Sequence, residues 1–345
     1  MDYSYLVTKR IENLPSGPLV MVDGTVRGWA PAAGDLHFDH HRPGGADVQI
    51  EEIPDSARLP EGATFVTTML DADASAAAAW LRLLTLQPTP LVLVAARTRL
   101  AAIAWDCDHL GLPAESEHDP WRSFAAHAVA AMKETGRSIP ARLGLPERGL
   151  QSEAQRTLAQ SQDFRENVDW LVDAALGRRA WPGECGEALN YFARQDALRP
   201  TVESRCRLYR GCMVFDQRGL QDDYIDARLP VEWARRHDAP QALTLTVREG
   251  AGKPDVAAPG WPAHIMLHSY MLGRVPLHAH GSPRYSDRGI WKRLSQAEAR
   301  QRKVLGIVGP DAHWRGRNDV GGSSSVVMTP EQVLDEVLGG LASQP

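Results

Sequence analysis

Four places in this 345-residue chain put carboxylates or imidazoles at the end of an apolar run: Asp23 after LVMV, Asp39-His40-His41 after LHF, Asp71 and Asp73 in TTMLDAD, and Asp106, Asp108 and His109 in AIAWDCDH. Carboxylate oxygens and imidazole nitrogens together suit Mn²⁺, Mg²⁺ or Zn²⁺. A shared Asp bridges two such ions, and a pair roughly 3.5–4 Å apart is a usual device for in-line attack of a metal-bound hydroxide on phosphorus. In an open parallel sheet, ligands collect at the carboxyl ends of the strands, so elements that end this way would gather these side chains on one rim. Each spot also has a structural use. Asp23-Gly24 is a turn signal, His40-His41 suits a solvated turn, Asp71 serves equally as the N-cap of the alanine-rich segment behind it, and Asp106 and Asp108 cap their run toward Pro113. Four such spots at four expected strand ends favour metal chemistry over four separate coincidences.

The charge distribution points the same way. From Val20 to Asp73 ten acidic residues face three basic ones, a net −7, and from Met271 to Arg317 ten basic residues face three acidic ones, a net +7. Two solvated surfaces would account for this, as would an acidic pocket for cations and a basic surface for an anionic substrate. Arg274, Arg284, Arg288, Arg315 and Arg317 supply guanidinium groups whose geometry clamps phosphate oxygens in pairs. Gly321-Gly322-Ser323 reads as a short Gly/Ser turn whose backbone N–H groups could cradle an anion. Two other phosphate motifs are discounted: MVDGTV has Met21 where a DxDGT nucleophile motif needs its first Asp, and no GxxxxGK[ST] is present.

These groups must be positioned by alternating elements. GPLVMVDG, DLHFDHH and ATFVTTML read as strands, DADASAAAAWLRLLTL as a helix, and LVLVAARTRLAAIAWDCDHLG as a further apolar run ending in acid. This alternation predicts βαβ units and a largely parallel sheet. Two helices follow, HDPWRSFAAHAVAAMKETG with Asp119 as N-cap before Pro120 and SEAQRTLAQSQDFRENVDWLVDAALG, separated by GRSIPARLGLPERG. No periodic run continues through residues 178–200, which predicts a boundary between residues 1–180 and a second, smaller α/β domain over 200–345. There CRLYRGCMVF, ALTLTVREG and AHIMLHSYML read as strands, DDYIDARLPVEWARRHD as a helix, and TPEQVLDEVLGGL as a helix capped by Thr329 with Pro330 at its first position.

Composition narrows the class. With 43% hydrophobic and 23% charged residues the chain has the composition of a globular protein, with ample core for the α/β fold that the alternation predicts, neither disordered nor disulfide-stapled. Four scattered cysteines make no framework and no CxxC zinc site. No run approaches the roughly 20 apolar residues of a membrane span, and the N-terminus lacks a signal peptide's pattern, so a reducing cytoplasm is expected. A pI of about 6.2 argues against wholesale duplex binding.

FDHHRPGG, followed by strand-DADASAAA-helix and AIAWDCDH, resembles the DHH phosphoesterase superfamily, whose members include family II pyrophosphatases, exopolyphosphatases, single-strand exonucleases, nano-RNases and cyclic-dinucleotide phosphodiesterases. The resemblance implies a metal-holding N-terminal domain, a smaller substrate-binding C-terminal domain, and one or two Mn²⁺ or Mg²⁺ ions. By this likeness Asp39, His40 and His41 form the signature triplet, with His40 a ligand and His41 supporting the site. Asp23 matches the bridging Asp, Asp71 and Asp73 the DxDxxxSA element, and Asp106 or Asp108 the remaining ligand. Gly321 and Gly322 match the glycine pair of the C-terminal loop. The chain departs from the pattern where DADASA follows DHH instead of preceding it. Alternatively DADASAAAAW is the helix after DHH and the first motif is absent. Thr67 stands in place of a histidine, and Gly-Gly-Ser in place of Gly-Gly-His unless His278, His280 or His313 substitutes. The expected substrate is a small phosphorylated molecule, a nucleotide or a short single-stranded oligonucleotide. The alternatives are a DHH-derived nucleotide-binding module without turnover, and an unrelated α/β domain in which Asp23, Asp39, Asp71 and Asp108 do not converge.

Overall fold

The computed structural model describes residues 3–42, 45–46, 48–109, 121, 123–147, 150–220, 225–237, 244–249, 263–268, 289–307, 314–316 and 320–342. They fall into two compact units, one running to Arg194 and the other beginning at Gln195.

The first unit opens with β1 (Ser4–Val7), β2 (Leu19–Val22) and β3 (Leu36–Phe38), then a short α1 (Gln49–Glu52) and β4 (Thr64–Thr67). The four strands form a parallel sheet in the order β1-β4-β2-β3. Every residue of β2 is buried, as a parallel sheet covered on both faces requires. Val20 and Val22 face one core with Phe65, Ile50, Leu81, Leu100, Ile103 and Phe164. Leu19 and Met21 face the other, with Val26, Val66 and Trp29.

Helices α2 (Ala72–Leu86), α3 (Pro90–His109), α4 (Phe124–Arg142), α5 (Glu153–Ala175) and α6 (Leu189–Glu203) follow, the residues of α6 from Gln195 onward belonging to the second unit. In α2 every alanine of the run Ala76–Ala79 is buried. A helix apolar on all sides is one packed all round, and here the small side chains fill that role. The segment expected to end at its acids like a strand is instead the 20-residue helix α3. Its buried Ala96, Leu100, Ile103 and Ala104 recur at helical spacing, and it is far longer than a typical strand. The separator GRSIPARLGLPERG is also revised, because α4 runs through Pro140 to Arg142. Its N-cap is Ser123, whose side chain accepts the Ala126 N–H; Asp119 lies outside the described residues. Ser152 and Gln155 close a capping box on α5. The stretch read as a break, 178–200, contains most of α6.

The second unit holds a six-stranded mixed sheet. Its strands are β5 (Cys206–Tyr209), β6 (Cys212–Asp216), β7 (Thr244–Glu249), β8 (Ala263–His268), β9 (Arg315–Gly316) and β10 (Val320–Val326), in the order β5-β6-β7-β8-β10-β9. Among the described residues of this sheet only the β6–β7 pair is parallel. CRLYRGCMVF, expected as one strand, is a hairpin, because Arg210 and Gly211 both take positive φ (50° and 78°), the backbone of a tight two-residue turn. Helices α7 (Arg228–Arg236), α8 (Ile290–Leu305) and α9 (Pro330–Ala342) complete the unit. Its core gathers Val214, Leu245, Val247 and Ile265 from the sheet with Trp291, Leu294, Val333 and Val337 from α8 and α9. Thr329 Oγ1 accepts the Gln332 N–H at 3.2 Å while Gln332 Oε1 accepts the Thr329 N–H at 2.8 Å, so α9 starts at the expected cap.

Candidate metal centre

Strands β2 and β3 run parallel, with Met21 opposite His37 and Val22 opposite Phe38. Their carboxyl ends therefore deliver Asp23 and the Asp39-His40-His41 triplet to one edge. The Asp23 N–H ties the two ends together, donating to the Phe38 carbonyl at 3.0 Å and to Gln49 Oε1 at 3.2 Å. Asp23 and Gly24 have φ of 48° and 136°. An added Cβ on Gly24 would meet Thr68 Oγ1 at 2.4 Å. Glycine alone suits this sharp departure of the chain past the carboxylate.

Asp71 serves in the capping role weighed from sequence: its Oδ1 accepts the Ala74 N–H at 2.9 Å. Asp73 lies in the first turn of α2, where the helix dipole favours negative charge. Asp106 and Asp108 lie in the last turn of α3. Two residues apart on a helix, they face different directions. Asp108 enters the cluster, whereas Asp106, 1% exposed, belongs to neither ligand group described below.

His40 is the hub. Its Nε2 lies 3.1 Å from Asp73 Oδ2, 3.2 Å from Asp23 Oδ1 and 3.7 Å from Asp108 Oδ2. His41 Nδ1 lies 3.2 Å from both Asp23 Oδ1 and Asp39 Oδ1. Two groups of ligand atoms fall within 4.8 Å of one another, Asp23-His40-His41 and His40-Asp73-Asp108. Asp23, His40 and Asp73 are buried, while the His41 side chain is 41% exposed, so the cluster meets solvent on the His41 side. Asp39, expected as a ligand, stands outside both groups. It accepts hydrogen bonds from the His41 N–H (3.0 Å) and from Thr25 Oγ1 (2.6 Å). Thr25 Oγ1 is in turn 2.7 Å from His37 Nε2. Sequence reading missed Thr25, His37 and Gln49. The one signal they carried was proximity to Asp23 and the triplet.

The electrostatics are those of crowded buried acids. Burial pushes the Asp23 carboxyl well above its usual range, and the charges of Asp71, Asp73 and Asp108 add to this against the pull of the His40 hydrogen bond. Burial and the Asp73 charge move Asp71 up to about 6, held back by the Ala74 N–H. At His40 burial opposes the positive form, but hydrogen bonds to Asp23 and Asp73 outweigh it and raise the imidazole to about 10. Burial, then the charges of Asp71 and Asp108, raise the Cys107 thiol well above its usual range. Excess buried negative charge is relieved by protons or by a cation.

A divalent ion fits this donor set, hard carboxylate oxygens with one imidazole. His40 Nε2 has one lone pair, so the two groups cannot each claim it for an ion of its own. An incoming ion must displace the His40 proton. Mn²⁺ affinity is therefore expected to rise with pH, by up to about tenfold per unit for each proton displaced, between about pH 7 and 9. This window lies below the raised His40 value. Calorimetric titration in two buffers of different ionisation heat reads the released protons, and an affinity independent of pH would remove His40 from the ligand set.

The expected substrate-side residues lie in the second unit. Arg274, Arg284, Arg288, His280 and Arg317 are outside the described residues, as are His278 and His313. Arg315 is exposed on β9. Gly321 and Gly322, expected in a turn, are inside β10, opposite Leu267 and Met266 of β8 and Gly316 and Arg315 of β9. A Cβ on Gly321 would come within 2.6 Å of the Arg315 carbonyl oxygen and the Trp291 ring. Close packing, not a turn, requires glycine there. Part of the basic run is paired within its own unit: Arg302 is buried against Glu298, and the partly exposed Arg293 and the exposed Arg300 pair with Glu336. Among the described residues no helix is long and apolar enough to cross a membrane.

No model of a known family matches the chain, and no curated protein does. Among solved structures, one that resembles it is a pGpG-specific phosphodiesterase from Vibrio cholerae, at 11% identity and a TM-score of 0.42, with 95% of this chain and 99% of that one covered.

Proposed function

We propose that the chain is a metal-dependent phosphoesterase of DHH type, acting on a small nucleotide or a short oligonucleotide. A single Mn²⁺ or Mg²⁺ would be held by His40, Asp23, Asp73 and Asp108. The observation that carries this reading is the meeting of four segments distant in sequence around His40 Nε2. A coincidental triplet gives no reason for that meeting. A bound divalent ion supplies Lewis-acid stabilisation of charge developing on phosphoryl oxygens and acidifies water.

The chain's own residues do the rest. Asp23 and Asp73 hold the negative charge that selects a cation, and burial keeps competing water out. Asp71 fixes the start of α2 and thereby the position of Asp73. Asp39 orients His41. We assign the second unit to substrate binding, with Arg274, Arg284, Arg288, Arg315 and Arg317 as candidate clamps on phosphate oxygens. A cytoplasmic setting belongs to the same proposal and is supported by four free cysteines.

Metal analysis of purified protein, with release of p-nitrophenol from its thymidine 5′-phosphodiester followed with Mn²⁺ and with EDTA, tests the reading. Bound metal and turnover that EDTA stops are expected. A folded sample that neither binds metal nor turns over sinks it. One observation favours the second reading, a nucleotide-binding module without turnover. Thr67, where the family carries a histidine, is buried and turns its hydroxyl to the Met69 carbonyl at 2.9 Å. Nucleotide binding without metal or hydrolysis in the same experiment would establish it.

A further inference from the structure

Thr25 and His37 make a chain of hydrogen bonds that leads from the cluster to the far face of the sheet. His37 lies on β3 opposite Met21, and its ring meets Trp29 edge-on at 5.2 Å. Its Nε2 is 2.7 Å from Thr25 Oγ1, which is 2.6 Å from Asp39 Oδ2. Asp39 Oδ1 is 3.0 Å from the His41 backbone nitrogen and 3.2 Å from His41 Nδ1.

Donor counting gives this chain a direction. A threonine hydroxyl has one hydrogen and an ionised carboxylate has none. The hydroxyl hydrogen therefore goes to Asp39, the acceptor that gains most from it, as charge-assisted bonds are the stronger ones. Thr25 Oγ1 must then accept from His37, which places a hydrogen on His37 Nε2. At the other end Asp39 only accepts, so the hydrogen in the contact with His41 belongs to Nδ1. The hydrogen bonds from His41 and Thr25 outweigh burial and hold the Asp39 carboxyl below its usual range, consistent with this direction.

We infer that Thr25 and His37 are positioning residues which, through Asp39, fix His41 in the tautomer that carries its proton on Nδ1 and its lone pair on Nε2. With its hydrogen engaged by Asp39, Nδ1 is a poorer ligand than Nε2 although it lies 3.2 Å from Asp23 Oδ1, and the free lone pair of the partly exposed ring sits on Nε2. A fixed imidazole tautomer is commonly set by such an outer carboxylate partner. What the ordered His41 is used for rests on the phosphoesterase reading; its tautomer does not.

The test separates the two. The metal-free full-length protein, labelled with ¹⁵N-histidine, is examined by long-range ¹H–¹⁵N correlation at a pH where His41 is neutral. Wild type is expected to show Nδ1–H at His41 with an unprotonated Nε2. Thr25→Val should mix the tautomers, Thr25→Ser should restore the wild-type pattern, and His37→Gln, which keeps an N–H donor, should resemble wild type more than His37→Phe does. In the Mn²⁺ assay Thr25→Val should lower kcat by about 10–100-fold with little change in KM, and Thr25→Ser should recover it. A wild-type His41 protonated on Nε2 overturns the inference without any variant, as does a Thr25→Val protein with the tautomer unchanged. The expected tautomers in a protein with no Mn²⁺-dependent turnover leave the relay standing and discard the phosphoesterase reading instead.

Discussion

His40→Ala is expected to abolish both divalent-metal binding and metal-dependent hydrolysis, the latter by about a thousandfold or more. A Lewis acid stabilises transition-state charge by several kcal/mol, and each ~1.4 kcal/mol is tenfold in rate. His40 Nε2 is the atom on which Asp23, Asp73 and Asp108 converge, so no neighbour replaces it. The metal-free variant should also be less stable than wild type, by about 3 kcal/mol or more, because buried carboxylates lose the imidazolium that offsets them.

Asp23→Asn makes the contrast that identifies a metal site. It too should lose the ion, but it removes one charge from a group in which Asp71, Asp73 and Asp108 already repel it. The metal-free Asp23→Asn protein should therefore melt above metal-free wild type. Wild type should gain about 2.7 kcal/mol at a metal concentration one hundred times Kd, and the variant nothing. Thermal melts with and without Mn²⁺ give both signs. If His40→Ala and Asp23→Asn shift the metal-free melt in the same direction, the cluster is a structural ion-pair network and not a metal centre.

In the second unit the largest loss is expected from Glu298→Ala. Glu298 on α8 is fully buried and Arg302 is 6% exposed. One carboxylate oxygen accepts the Val327 N–H at 2.7 Å and Arg302 Nε at 3.2 Å, and the other accepts the Met328 N–H at 3.3 Å. The carboxylate thereby ties α8 to the segment between β10 and α9. Burial pushes its carboxyl upward against the pull of these donors, so the charge itself adds little and the bonds matter most. Alanine removes them all and leaves the buried Val327 and Met328 N–H groups without their acceptor, a loss of about 3–5 kcal/mol. Glu298→Gln keeps an oxygen acceptor and should cost only about 1–2 kcal/mol. Urea unfolding of both variants, read from the transition of this unit, checks the order. Equal costs for the two would show that the side chain fills space without holding the backbone.

Much of the first unit was legible because its signals are local. LVMV, LHF and TFVT are short apolar runs closed by acids or turn residues, and the alanine-rich segment behind Asp71 is a helix on composition alone. The misreadings arose where local rules compete. The run ending in AIAWDCDH is apolar like a strand, yet its length and its alanine and leucine content make it α3. CRLYRGCMVF is continuous in polarity, but Arg210-Gly211 turns it back on itself.

By itself the sequence determined the supply of donors and their delivery to element ends: carboxylates and imidazoles after β2 and β3 and around the start of α2, because strand period and capping chemistry are properties of a few neighbouring residues. The tertiary structure decided which of them meet. Asp39, His40 and His41 are consecutive, yet only the pairing of β3 with β2 and the meeting of His40 with Asp73 of α2 set His40 inside and leave Asp39 to hold His41. Asp106 and Asp108 are equivalent in sequence, and the rotation of α3 about its axis brings Asp108 to His40. Gly321 looked like a turn and is a packing glycine beneath Trp291, and Arg302 looked like surface charge and is the buried partner of Glu298. Each of these outcomes depends on a distance between residues far apart in the chain, and such distances are set by how whole elements pack.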